Sequence, residues 1–273
     1  QRPLACTLRI PGLLYGFNFL SHGLSQSSRP ATSAMAYDRD VVVFCFKRHY
    51  ELLVKSAYFD SAEIRYPPDE GWSDEQLAVD IMRAFGRSEK VIDLLRHLPY
   101  IKQLDGDSKD EVYFQTQHLS YLRDTWPFKS LTVEKCQGKQ LFDKLLMPSP
   151  GDWPAGFIAL TQDIYATWWI MDTTKGILHA VGTGYVEPPK DEPWLLGSVP
   201  HDIREYFDVI YNEIEGLTMV PCPKGNNSWN RTVQPYTWEI GSVVSQTLRK
   251  HGWPDSLDRD GYLEELERVR PEG

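Results

Sequence analysis

Between residues 41 and 98 apolar side chains recur every three or four positions, whereas between 157 and 181 they come in short β-branched and aromatic blocks. The first pattern predicts helices and the second predicts strands. Residues 41–59 read as mostly helix, with Leu52, Leu53, Ala57 and Tyr58 at helical spacing; the β-branched start Val41-Val42-Val43 leaves a strand open there. Ser73 with Gln76 has the form of a capping box and predicts a helix from Ser73 to about Phe85, ended by Gly86. Ser88 predicts the start of another, carrying Val91, Ile92, Leu94, Leu95 and Leu98 up to Pro99.

Residues 102–110 are too polar for a core and read as a loop, after which 112–114 and 118–122 look extended. The runs 157–160, 165–171 and 177–181 predict a β meander, with 172–176 as a hairpin loop of Asx and glycine chemistry. Ile203, Phe207, Ile210, Tyr211 and Ile214 form an apolar stripe, predicting a helix with Pro200 in its first turn and Gly216 at its end. Helices over 239–250 and 262–269 complete the pattern. The expectation is an α+β fold, a twisted antiparallel sheet flanked by helices, with helical N- and C-terminal additions. Residues 37–273 are expected to form a single globular domain, with a sub-boundary near the proline-rich stretch 148–154.

Charge changes the picture more than composition does. The 273 residues hold 38 acidic and 29 basic side chains, a formal charge of -9. Arg2, Arg9 and Arg29 lie in the first 36 residues, which hold no acid, so the remainder carries 26 basic against 38 acidic residues, or -12. Such a body is expected to avoid nucleic acid and anionic lipid and to favour a basic partner. The arginine- and serine-bearing segment 1–36 has the composition of an organellar targeting segment, although Pro3, Pro11 and Pro30 would interrupt an amphipathic helix, and a plain extension is the other reading. A cytoplasmic location is expected, or a mitochondrial one if 1–36 is a transit peptide. No stretch is apolar enough to span a membrane. Cys6, Cys45, Cys136 and Cys222 are far apart, without CxxC spacing or zinc-ligand histidines, and are expected to be free thiols with no metal.

Phosphate-binding loops, a GxSxG elbow and an HExxH helix are all missing from the sequence. No cofactor is expected. His97 reads as a satisfied, half-buried histidine of a leucine-rich helix. The candidates for proton transfer are His201, beside Asp202 and Glu205 at a helix start, and His179 in a strand, with Asp163 and Asp172 at the two ends of another strand. At strand rise these two carboxylates stand roughly 30 Å apart, far beyond the ~10 Å a two-carboxylate glycosidase uses, and turn formation accounts for both. Trp168 and Trp169 must point to opposite faces of one strand. With Trp194 they are the candidate partner-binding residues, since tryptophan is enriched at interface hot spots.

The strand Trp168-Trp169-Ile170-Met171-Asp172, the turn at Lys175-Gly176, a second strand, a variable insert and a helix opening at Ile203-Arg204-Glu205-Tyr206-Phe207 make a layout over about residues 158–221. This layout resembles the back half of the SUKH superfamily, the group of Knr-Smi cell-wall regulators and bacterial toxin-immunity proteins. Leu94-Leu95-Arg96-His97-Leu98-Pro99 and Gly71-Trp72-Ser73-Asp74 are similar to wording in filamentous-fungal proteins of that kind. The resemblance covers about a quarter of the chain, and the early Asn-Gly segment of the pattern is missing. It implies an α+β protein that binds other proteins and has no catalytic site. The expectation is therefore an acidic interaction or regulatory module, with a small-molecule enzyme built around an aromatic-lined pocket as the alternative.

Overall fold

The computed structural model describes residues 36–102, 110–136, 146–148, 153–162, 167–181, 198–224 and 230–270. The segment 1–36, Asp163, Trp194, most of the 102–110 loop and much of the 148–154 boundary lie outside these residues, Ala36 excepted.

Helix α1 spans Arg39–Lys55. Asp38 caps it, its carboxylate accepting from the N–H groups of Asp40 and Val41 at 2.9 and 3.3 Å. Val42, Cys45, Phe46, His49, Leu52 and Leu53 are buried along one side, so the β-branched start is helix and no strand forms there. The cap and a continuous buried face outweigh the modest strand preference of three valines. Ala57 adopts a left-handed φ of 59°, and the Tyr58 N–H bonds to the Leu53 carbonyl at 3.1 Å, closing the helix in the manner of a Schellman turn.

Strand β1 (Ile64–Arg65) pairs antiparallel with β2 (Tyr100–Ile101). Between them lie α2 (Val79–Ala84) and α3 (Glu89–His97). The reciprocal bonds of a Ser73–Gln76 capping box are present, at 3.0 and 3.4 Å, yet the regular helix begins six residues later than the sequence predicts. Leu77 bridges to Leu122 and the Ala78 N–H bonds to the Tyr121 carbonyl, so long-range pairing takes the backbone groups that would have continued the turn. Gly86, at φ 72°, ends α2, and Ser88 caps α3 as predicted, accepting from the Val91 N–H at 3.3 Å.

Strands β3 (Glu111–Tyr113) and β4 (Thr116–His118) form a hairpin, and β6 (Thr161–Gln162) pairs with the outer side of β4. The main sheet has the order β5 (Phe157–Ala159), β7 (Trp168–Asp172), β8 (Ile177–Val181), β9 (Val199–His201), all antiparallel, which is the predicted meander with one further strand. Pro200 belongs to β9 and not to a helix. Because β9 is an edge of this four-stranded sheet, a residue with no N–H to donate is tolerated there. Helix α4 (Ile203–Glu215) follows directly, capped by Asp202. Strands β10 (Met219–Cys222) and β11 (Thr232–Pro235) form a separate antiparallel pair carrying α5 (Glu239–Lys250), on which α6 (Arg259–Val269) packs. The α+β class holds, with six α-helices among the described residues and the strands divided among four antiparallel sheets.

Helices α1 and α4 pack side by side, and the deepest part of the core forms where they meet β7. The Trp169 ring lies 5.2 Å from Phe207 and 5.9 Å from both Phe46 and His49, in edge-to-face geometries worth about 0.5–1.5 kcal/mol per pair beyond burial. Cys45, Cys136 and Cys222 are free and buried. At the other end Gly241, in α5, sits against the end of β11. A Cβ added there would lie 2.3 Å from the Pro235 carbonyl oxygen. Gly241→Ala is therefore expected to destabilise the fold by about 2 kcal/mol, as overpacking against backbone does, read as a lowered urea midpoint; an unchanged midpoint would show that α5 can move off β11 freely.

Candidate functional site

The register of the main sheet decides what its candidates can do together. Directly paired residues share a face. Trp169 pairs with Ala180, and Met171 pairs with Leu178, which in turn pairs with His201, so Trp169 and His201 lie on the face under α1 and α4. Ile170 pairs with His179, which pairs with Pro200, and Phe157 pairs with Asp172. His179 and Asp172 thus occupy the opposite face from His201, and among the described residues no one pocket unites the three.

Each has a local task. Asp172 is fully buried, and its Oδ1 accepts from the Thr174 N–H at 2.8 Å, the Thr174 hydroxyl at 2.5 Å and the Lys175 N–H at 3.2 Å. This is the Asx turn that closes β7 onto β8, the role that turn chemistry predicts. The buried His179 ring stacks 5.9 Å from Phe157 and reaches the Ser198 hydroxyl through Nδ1 at 3.2 Å. His201 ends β9 and does not start a helix, because Asp202 takes the cap position. Its ring lies 4.9 Å from Tyr206, and burial lowers its pKa, with Glu205 acting weakly in the other direction. His97 is partly buried and bonds through Nδ1 to the Asp93 carbonyl at 2.8 Å, as expected of a satisfied histidine.

Trp168 and Trp169 do point to opposite faces. Trp169 is wholly enclosed, its indole N–H donating to the Tyr206 hydroxyl at 3.0 Å, so a partner cannot touch it without opening the core. Trp168 is partly buried and packs against the core from the other face.

Three further features lie outside the candidate site residues. The first is His49, whose imidazole is enclosed by Trp169, Phe207 and Tyr50 and donates from Nε2 to the Val112 carbonyl at 2.7 Å. Its place on the apolar stripe of α1 could have revealed it. A second is the buried ion cluster in which Arg231 joins Asp110 and Glu63, each at 3.0 Å, with its guanidinium 4.9 Å over the Phe59 ring. The third is an aromatic corner on the surface. Phe114, at the turn of the β3–β4 hairpin, meets Trp238 with ring centroids 5.6 Å apart and planes at 78°. Tyr236 and Trp238 are 50% and 38% exposed on the turn between β11 and α5.

Among the described residues no cluster of three or more His, Cys, Asp or Glu side chains is placed to hold a metal ion, and no helix is long and apolar enough to cross a membrane. No family model, curated protein or solved structure matches this chain.

Proposed function

We propose that this chain is a non-catalytic interaction module that binds a basic protein partner. The observation that carries the reading is the exposed aromatic turn at Tyr236 and Trp238, backed by Phe114, on a chain whose charge from Tyr37 onward is -12. Large aromatic side chains left in water on an acidic surface suit recognition of a positively charged partner, with amphipathic rings supplying contact area and charge supplying steering. The division of His201 from His179 and Asp172 across two sheet faces withdraws support from the acid–base alternative. The resemblance to the SUKH superfamily points the same way, toward binding of other proteins.

The test is capture of partners on the immobilised full chain from extract of the cells that make it, with mass spectrometry across a salt series. A stoichiometric protein of basic surface, released as salt rises through a few tenths molar, is the expected result, because screening at such ionic strength shortens the reach of surface charge to under about 10 Å. Retention of an equally acidic protein with no salt dependence, or of a small molecule alone, would overturn the reading.

A further inference from the structure

Resting on that reading, we infer that the corner formed by Phe114 and Trp238 is a receptor for a single cationic side chain, a lysine ammonium or arginine guanidinium presented by a basic segment of the partner. Trp238 is the starting point. It occupies the N-cap of α5, where Ser, Thr, Asp or Asn would contribute about 1 kcal/mol, and its side chain makes no capping bond. It is also 38% exposed, so burial accounts for a tryptophan here only in part. The helix does not explain the residue, and packing against Phe114 leaves much of its ring in water.

The rest of the molecule shows how this chain treats aromatic rings at or near its surface. The Arg48 guanidinium lies 4.8 Å from the Tyr211 ring and 5.7 Å from Phe44. Lys47 lies 5.8 Å from Tyr66, Lys55 5.5 Å from Trp253, and Arg65 5.6 Å from Trp72. In each case a cation of the chain itself rests on the negative face of the ring. Over Phe114, Tyr236 and Trp238 no such cation stands among the described residues. The two rings stand nearly perpendicular, at 78° with centroids 5.6 Å apart, so a cation resting on the face of one lies beside the other. Glu239 follows Trp238, is exposed, and makes no ion pair among the described residues.

The charge on the ligand is what separates this site from a merely greasy patch. An aromatic corner that works by apolar contact takes a neutral tert-butyl group as readily as a quaternary ammonium; one that works through the ring quadrupole prefers the cation.

The full chain, labelled with nitrogen-15, is titrated with choline chloride, with the uncharged isostere 3,3-dimethylbutan-1-ol, and with an acetylated, amidated Gly-Arg-Lys-Arg-Gly peptide, following the Trp238 indole N–H. That signal is assigned by its loss in Trp238→Phe. Saturable shifts are expected with choline and with the peptide, and only a linear solvent effect with the isostere. Phe114→Ala and Trp238→Leu, the second keeping apolar bulk without a π face, are each expected to weaken the peptide about fivefold, the equivalent of about 1 kcal/mol. Equal shifts with choline and its isostere, or peptide affinity unchanged in both variants, would overturn the assignment. The two readings fail separately. If Trp238→Leu still captures a salt-sensitive basic partner at the wild-type level, the corner is wrong and the module stands; if the corner binds cations but no protein is ever captured, the module falls and the corner stands.

Discussion

Replacing Arg87 by methionine is expected to lower the unfolding free energy by about 4 kcal/mol, moving the urea midpoint down by more than about 1 M. The Arg87 side chain is buried and spreads its donors over four main-chain carbonyls. Nη1 reaches Pro154 at 2.9 Å and Phe157 at 3.0 Å, Nη2 reaches Trp153 at 3.1 Å and Phe85 at 3.3 Å, and Nε reaches Phe85 at 3.3 Å. It therefore ties the end of α2 to the chain entering β5, where the Ser88 N–H also bonds the Ala155 carbonyl at 2.9 Å. Methionine keeps the length and apolar stem but leaves those carbonyls buried with fewer partners, each costing about 1–3 kcal/mol when water cannot replace the donor. Lysine is expected to recover less than half of the loss, because a three-donor ammonium cannot match the spread of a planar fork. A methionine variant within about 1 kcal/mol of the parent would show that solvent reaches these carbonyls and that the segment is held by other contacts.

Arg87 also marks where reading the chain stops. Nothing in Gly86-Arg87-Ser88 announces a buried arginine, since the turn at Gly86 and the cap at Ser88 explain the local sequence fully. Three of its four partners lie more than 65 residues ahead, and such contacts have no local signature. By contrast α3 was legible to within a residue or two, because cap, periodicity and stop signal agreed. The Ser73 start failed for the reason that Arg87 was invisible: Leu77 and Ala78 are committed to Leu122 and Tyr121, forty-odd residues on.

The proposed site divides along the same line. Trp168 and Trp169 drew attention because they are adjacent in a strand, and alternation correctly sent them to opposite faces. Which face is covered is a property of α1 and α4, and they cover the one carrying Trp169. Phe114 and Trp238 stand 124 positions apart, one in a segment that looks like strand and one at a helix cap. Their right-angled contact exists only once β3 lies beside β11.

His49 supplies the second large effect, and its sign follows from burial. Enclosure lowers its pKa to about 4 from an ordinary 6.5, opposed only in part by the bond to the Val112 carbonyl and reinforced by nearby Arg48. The Nε2 proton is committed to that carbonyl, and Nδ1 has no partner among the described residues, so a second proton would place a charge among Trp169, Phe207 and Tyr50. Because the folded pKa is depressed, the unfolded chain binds more protons than the fold between pH 6.5 and 4. Stability is thus complete above about 6.5 and falls as pH drops toward 4, by up to about 3 kcal/mol for a displacement of this size. Burial lowers His118 and His201 as well, so they act in the same direction. His49→Gln isolates the one contribution, since glutamine can keep a donor toward Val112 without titrating. Urea denaturation of both proteins at pH 7, 6, 5 and 4 is expected to show the parent losing about 2–3 kcal/mol more than the variant across that range. Parallel losses would mean that water or a rearranged α1 accommodates the imidazolium, and that the aromatic centre between α1, α4 and β7 is looser than its ring distances indicate.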